Sequence, residues 1–263
     1  MSDVKYWKYP GLDGLELCLA DHVAFRYGRH IHLDYHIGLV EQGAQNFIHQ
    51  GSSAPLAPGQ LSLLNPDIAH DGSCFGELGF RVRVFSLAPE LMACLAEELE
   101  QPPSFFFGRP LLHQPQIYRQ SLVLHRQLEQ GALAPEEAET QLLALLSGFF
   151  PYRDKGPLEA AALGRLRERL LAGLDQPHPL EQLAADAGLS RFQFLRRFKA
   201  AMGITPHAYL RRLRLEAAKK HLALGRAVAD TALAVGFFDQ AHFHRAFVAA
   251  YRITPARFRA QMQ

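Results

Sequence analysis

The chain has 263 residues, 48% of them hydrophobic, which is enough to bury one large core or two modest ones and excludes a disordered protein. Its three cysteines lack paired spacing, which argues against a disulfide framework and indicates a reducing compartment. No charged-then-apolar leader opens the chain, and no apolar run approaches the roughly 20 residues of a membrane helix, so we expect a cytoplasmic protein without a membrane partner.

The net charge of +2 conceals two segments of opposite sign. Residues 1–156 contain 11 Lys and Arg against 18 Asp and Glu, a net charge of −7. Residues 157–263 contain 17 against 8, a net charge of +9. A localised basic segment is typical of a polyanion binder, although basic helices are often simply solvated.

The N-terminal part predicts short strands behind an irregular arm. Residues 1–14 form this arm, whose aromatic rings, Trp7 among them, either pack on the domain or cover a ligand. From residue 15 to residue 87, short apolar or alternating segments are separated by turns, and residues 35–40 and 44–49 predict a hairpin. Strands at this spacing are typical of a sandwich or a small barrel.

Helices are predicted next. Pro89 begins the first of them, and two longer candidates follow over residues 115–130 and 135–150, separated by Gly131. The two longer helices have leucine-rich faces, which must be buried against the barrel, against each other or against a second subunit.

A linker is predicted where the sign of the charge changes. Residues 151–157 are polar and bounded by prolines, so they divide a first domain of residues 1–150 from a second of residues 158–263. The second domain begins with a leucine-faced helix over residues 158–174. All of its remaining segments also predict helices, whereas the first domain combines strands with helices.

The second domain contains one pattern twice. In each copy a short helix ends at a glycine, Gly188 or Gly236, and a second helix follows a capping residue, Ser190 or Asp239. Seven residues of the first copy (Phe194, Arg196, Phe198, Ile204, Thr205, Pro206 and Tyr209) recur, with one Tyr-to-Phe change, 49 positions later. A short helix, a glycine turn and a basic second helix predict a helix-turn-helix unit, whose second helix enters the major groove of DNA.

The outward faces of the two second helices supply the candidate DNA contacts. Arginine suits guanine edges and glutamine suits adenine, and both also hold phosphates. A connecting helix of roughly 18 residues spans about 27 Å, broadly compatible with units one turn of DNA apart. The candidates are Arg191, Phe192, Leu195, Arg196 and Lys199 in the first unit and Gln240, His244 and Arg245 in the second.

These segments resemble the AraC/XylS family of bacterial transcription regulators. The resemblance rests on Leu-Ala-x-x-x-Gly-Leu-Ser up to Ser190, residues 194–199, Gly-Ile-Thr-Pro up to Pro206 and residues 243–247, and it covers residues 158–259. It implies a sequence-specific regulator that binds double-stranded DNA, with RNA polymerase as a further candidate partner. It also implies that the two predicted leucine-rich helices form a homodimer, with packing inside the chain as the alternative.

The second unit departs from the family pattern. Val248 stands where a lysine is usual, and Arg252 where a glycine closes the helix. We therefore expect this helix-turn-helix unit to contact the DNA phosphate backbone and orient the protein more than it recognises bases.

Histidines dominate the candidate sites of the first domain. Their spacing with Gly43, Gly59 and Pro66 resembles the two cupin motifs, with His36 where a metal glutamate is common. AraC-family sensor domains are similar, and they usually bind a small effector inside the barrel without a metal. The resemblance covers residues 23–87. The candidate effector contacts are Trp7, His30, His32, Tyr35, His36 and His70.

The preferred interpretation is an effector-responsive regulator with a two-domain α+β architecture: an N-terminal cupin-like β-barrel with following helices, and a C-terminal all-α domain with two helix-turn-helix units. We expect no catalytic residue, metal or cofactor, although His30 and His32 lie on one strand face and could, with His36 and His70, ligate zinc or iron. One alternative is a metal-dependent cupin enzyme, a dioxygenase or isomerase, fused to a DNA-binding module. Another is a regulator whose barrel only assembles subunits.

Overall fold

The chain forms two compact units, described here from a computed structural model. The first is built mainly from residues up to 149 and the second mainly from residues 160–263. The predicted linker, residues 151–157, lies outside the described residues. No described helix is long and apolar enough to cross a membrane. The described residues are 3–23, 26–49, 52–76, 79–99, 101, 105–149 and 160–263.

The first unit contains two antiparallel sheets. The six-stranded sheet has the strand order β1-β2-β9-β4-β7-β10, and the four-stranded sheet has the order β3-β8-β5-β6. The strands are β1 (Asp3–Lys8), β2 (Leu15–His22), β3 (Arg26–His30), β4 (Tyr35–Gly43), β5 (Gln45–His49), β6 (Ser52–Leu56), β7 (Gln60–Leu64), β8 (His70–Cys74), β9 (Phe80–Leu87) and β10 (Leu111–His113).

The prediction of an irregular N-terminal arm is wrong for residues 3–8. These residues form β1, which pairs antiparallel with β2 so that Trp7 lies opposite Leu17. Val4 is buried in the core between the sheets. The strand escaped prediction because its polar and aromatic residues gain their extended conformation from hydrogen bonds to β2, which the local pattern does not reveal.

The two faces of the six-stranded sheet pack against different elements. Because side chains alternate along β4, Ile37 and Leu39 share one face, while His36 and Val40 share the other. Ile37 and Leu39 belong to the cluster that contains the leucines of the following helices. Val40 belongs to a second cluster together with Phe47 of the four-stranded sheet. The first face is therefore the helix-covered face, and the second is the sheet-facing side.

Three helices cover the first face: α1 (Pro89–Glu98), α2 (Pro115–Gln130) and α3 (Pro135–Ser147). Each has the predicted proline in its first turn, and α2 ends at Gly131 in the left-handed conformation. Leu124 and Leu142 are buried with Phe85 of β9. The leucine-rich faces are thus satisfied within the chain, whereas Val123 of α2 is 54% exposed.

The second unit is helical throughout its regular structure. Its helices are α4 (Ala160–Ala172), α5 (Leu180–Asp186), α6 (Arg191–Met202), α7 (Pro206–Ala223), α8 (Val228–Ala234), α9 (Gln240–Tyr251) and α10 (Pro255–Gln261). The β-rich first unit and this helical second unit confirm the predicted two-domain α+β architecture. Phe194 and Phe198 are buried in one repeat, and Phe243 and Phe247 in the other, as predicted from their four-residue spacing.

Arg252 ends α9 in a conformation that costs energy. Its φ of 60° is left-handed, the region in which glycine is free of steric strain and an arginine is not. We expect Arg252→Gly to raise the free energy of unfolding of the second unit by about 1 kcal/mol. Urea denaturation followed by circular dichroism measures this change.

Arg252→Ala is the matched control, because it removes the same side chain but keeps a Cβ at a positive φ. We expect no comparable gain from alanine. Equal stability of the glycine and alanine variants would show that backbone strain at this residue is negligible.

Candidate functional site

The first helix-turn-helix unit consists of α5, a turn at Gly188 and α6. Gly188 has a φ of 65°, which gives the chain the sharp exit that the turn requires. The Ser190 side chain accepts a hydrogen bond from the backbone N–H of Gln193, and the Gln193 side chain accepts one from Ser190. This reciprocal capping box fixes where α6 begins, as the predicted cap required.

The structure leaves the basic face of α6 accessible. Arg191, Arg196 and Lys199 are exposed, and Leu195 is half-buried. Arg191 also lies 2.8 Å from Glu181 of α5, a surface ion pair between the two helices of the unit. Phe192 belongs to α6, but its side chain lies outside the described part of the structure. The described candidates thus share one helix whose buried side holds Phe194.

The second helix-turn-helix unit, built from α8, a turn at Gly236 and α9, repeats this geometry with fewer cations. Gly236 has a φ of 81°, and the Asp239 side chain accepts a hydrogen bond from the backbone N–H of His242 at the start of α9. The three predicted contacts, Gln240, His244 and Arg245, are all exposed. Each unit therefore presents a polar face on its second helix.

Two arginines of the connecting helix α7 have structural contacts instead of an open surface. Arg212 is buried, lies 2.9 Å from Glu216 one turn later and stacks over the Tyr251 ring at 4.7 Å. Arg214 donates hydrogen bonds to the carbonyl oxygens of Leu174 and Gln176. The basic charge of residues 157–263 is therefore only partly available to a polyanion.

The sensor histidines come together at the four-stranded sheet. His30 ends β3, His70 begins β8, and these strands are neighbours in the four-stranded sheet. The ring nitrogens of His30, His32 and His70 offer one ligand atom each, all within 4.8 Å of one another. The His32 ring centroid lies 3.7 Å from that of His36 and 4.9 Å from that of His70. Four of the six predicted effector contacts thus form one cluster, the histidine cluster.

A hydrogen-bonded chain orients one member of this cluster. The Ser86 hydroxyl of β9 donates to Asp34 at 3.2 Å and lies 2.9 Å from Nε2 of His36. Because that hydroxyl has one hydrogen and donates it to Asp34, the contact with His36 is a hydrogen bond in which Nε2–H donates. Ser86 was not predicted from the sequence, although it shares the alternating face of Val82 and therefore the sheet-facing side.

Trp7 and Tyr35 lie apart from the histidine cluster. The Trp7 ring meets the ring of His125 on α2 edge to face, with centroids 5.3 Å apart. Tyr35 is buried on the helix-covered face, where its hydroxyl donates to the carbonyl oxygen of Phe105. Their alternation with Tyr6 and His36 along β1 and β4 turns them towards the helices.

Two family models match the chain. An AraC-like ligand binding domain matches residues 9–146, more than half of the chain, and a helix-turn-helix domain matches residues 183–261. The first range contains the histidine cluster, and the second contains α6 and α9.

Several known proteins are similar over most of the chain. The uncharacterized HTH-type transcriptional regulator YbfI of Bacillus subtilis is 26% identical over 82% of this chain and 81% of its own. The probable transcriptional regulator LumQ of Photobacterium leiognathi is 26% identical over 88% and 91%. A crystal structure of an apo ToxT variant from Vibrio cholerae covers 95% of this chain and 98% of its own, with a TM-score of 0.67 at 13% identity, and so shares the fold.

The family models, the relatives and the exposed faces of the two helix-turn-helix units agree with one another. The chain therefore belongs to the AraC family of transcription regulators, with a ligand-binding domain followed by a helix-turn-helix DNA-binding domain.

Proposed function

We propose that this regulator is a cytoplasmic homodimer that binds operator DNA mainly through α6 and responds to a small effector bound at the histidine cluster. The exposed row of Arg191, Arg196 and Lys199 on a capped helix carries the DNA part of the proposal. The second helix-turn-helix unit has only Arg245 as an exposed cation among its three candidates, and it orients the protein on the duplex. Contact with RNA polymerase would complete the regulatory step, without enzymatic chemistry.

DNA binding is tested by fluorescence anisotropy with fragments selected from genomic DNA by the full-length protein. Phosphate neutralisation releases counterions, so we expect the logarithm of the association constant to fall linearly with the logarithm of salt concentration. Absence of any binding at low salt would remove the DNA-binding proposal.

Arg196→Ala is expected to weaken operator binding by about 1–3 kcal/mol and to relax preference at one base pair, if the guanidinium contacts a base edge. Arg197→Ala is the matched control. It also removes one exposed arginine from α6, but at a position about 100° further round the helix. Competition with single-base operator variants measures the preference. An unchanged preference in Arg196→Ala would assign this arginine to phosphate positioning.

The homodimer is tested by sedimentation of the full chain. The exposed Val123 on α2 is the natural position for a disruptive charge, because it is an apolar side chain on a helix otherwise anchored to the sheet. We propose that Val123→Glu shifts the protein towards the monomer. An equally dimeric variant would place the dimer interface elsewhere.

A further inference from the structure

The histidine cluster has the composition of a transition-metal site. Among the residues that the structure describes, His30, His32 and His70 are the one group of three potential ligands close enough to share an ion. They come from β3, the segment after it and β8, so His30 and His70 lie on neighbouring strands and His32 follows the first of them. His70 is buried, while His30 and His32 are half-buried. Two of the three ligands therefore lie on neighbouring strands, and two of the three are partly open to solvent.

The distances suit a zinc-class ion. Imidazole nitrogens bind zinc at about 2.0–2.1 Å in tetrahedral geometry, which places two ligand nitrogens roughly 3.4 Å apart. The ligand atoms of the three histidines lie within 4.8 Å of one another, so they must approach by up to roughly 1.4 Å to share a zinc ion.

The donor set also selects the class of ion. Three neutral imidazoles favour zinc, copper, nickel, cobalt or iron, whereas magnesium and calcium require oxygen ligands. Three protein ligands leave a fourth tetrahedral position for water or for another molecule. His36, whose tilted ring has its centroid 3.7 Å from that of His32 and which contacts Ser86, is available as a supporting group.

We propose that the protein binds one divalent transition-metal ion of the zinc class through His30, His32 and His70, and that the fourth position accepts water or a donor atom of the effector. This departs from the sensor without a metal that the sequence suggested. The regulatory role of the ion rests on the proposed function above, but binding of the ion by the purified chain does not.

The experiment uses the full-length protein, freed of any histidine tag and of bound metal by chelation. Zinc is added, free ion is removed by dialysis, and bound metal is counted by mass spectrometry. Competition with a chromogenic chelator gives the affinity. We expect one equivalent per chain, with X-ray absorption of the zinc-loaded protein showing three imidazole ligands, a result that needs no variant.

Variants then identify the ligands. His32→Gln and His70→Gln are expected to reduce zinc affinity by more than the roughly 10–100-fold that loss of a supporting residue costs. His113→Gln is the control, because it removes an exposed histidine of β10 outside the cluster and should leave affinity unchanged. Circular dichroism establishes that each variant is folded, and His30→Gln, at a half-buried position, provides a second test if His70→Gln unfolds.

The outcomes separate the two proposals. Less than stoichiometric zinc in the wild type, or equal affinity in wild type and His32→Gln, overturns the metal site whatever the protein does on DNA. Stoichiometric zinc with no DNA binding, with or without the ion, preserves the metal site and overturns the proposed function instead.

Discussion

Replacing Arg83 with methionine is expected to lower the free energy of unfolding of the first unit by about 3–5 kcal/mol. Arg83 is 6% exposed and binds two carboxylates, Glu41 at 2.7 Å and Glu129 at 2.6 Å. Glu41, on β4, is almost as buried and also pairs with Arg126 of α2. Methionine fills much of the volume but leaves the carboxylates without their central cation.

The lowered pKa values of Glu41 and Glu129 show that both carboxylates depend on their arginine partners. Burial alone would raise the pKa of Glu41, but hydrogen bonds from Arg126 and Arg83 outweigh it and hold that pKa below its usual range. The same competition, with Arg83 as its first favourable partner, lowers the pKa of Glu129. Both groups are therefore charged at neutral pH, and each depends on an arginine for compensation.

Arg81→Met is the matched control for this prediction. Arg81 lies two residues earlier on β9 and pairs with Asp21, but both of these side chains are more than a third exposed. An exposed pair contributes about 0–1 kcal/mol, so we expect a correspondingly small loss. Urea denaturation at pH 7 measures both variants. Equal losses would mean that solvent reaches the Arg83 network as freely as the surface pair.

Acidification is expected to cost about 3 kcal/mol of stability through His125 alone. This α2 residue is fully buried, and burial followed by the charge of Arg83 lowers its pKa from 6.5 to about 4. Arg83 donates to Nδ1 at 3.2 Å, and Nε2 lies 3.3 Å from the carbonyl oxygen of Val84. The neutral ring satisfies both contacts, whereas a protonated ring would face the arginine with a second N–H donor.

Folding stability falls with decreasing pH because His125 has a lower pKa in the folded chain than in the unfolded chain. Below pH 6.5 the unfolded chain takes up a proton at His125 while the folded chain resists it down to about pH 4, so protons favour unfolding in this window. Stability is complete above pH 6.5, and about 2 kcal/mol is lost between pH 7 and pH 5. Urea denaturation at these two values measures the loss.

His125→Gln isolates this contribution. Glutamine retains a donor and an acceptor but does not titrate, so the variant should lose about 2 kcal/mol less than the wild type between pH 7 and pH 5. The comparison is needed because burial also lowers the pKa of His49 and His221, which titrate in both proteins. Identical pH dependence in the two proteins would contradict a neutral, buried His125.

These two predictions bear on the proposed regulator through α2. Arg83, Glu129 and His125 fasten this helix to the six-stranded sheet, and Val123 on its exposed side is the position proposed to affect dimerisation. Variants that weaken this network should therefore destabilise the packing of α2 on the sheet and, with it, the position of the exposed face that carries Val123.

The helices were the more predictable part of the fold. Pro115 and Gly131 bound α2, and Ser190 and Asp239 cap α6 and α9, so the start and stop signals lie within a few residues of the ends they define. Strands β1, β3, β6, β8 and β10 were not recognised, because their polar or short segments gain the extended conformation from backbone pairing with other strands. Pairing of β10 with β7, for instance, joins residues about fifty positions apart.

The sequence by itself determined the two repeats, their caps and buried phenylalanine pairs, and the charge asymmetry that indicates a polyanion partner, because all of these depend on contacts within one or two helical turns. Only the tertiary structure decided which charges remain available: Arg196 is exposed, whereas Arg83 and Arg212 are buried with carboxylates. It also brought His70 to His30 and His32, because strand pairing sets distances between residues that the intervening sequence leaves open.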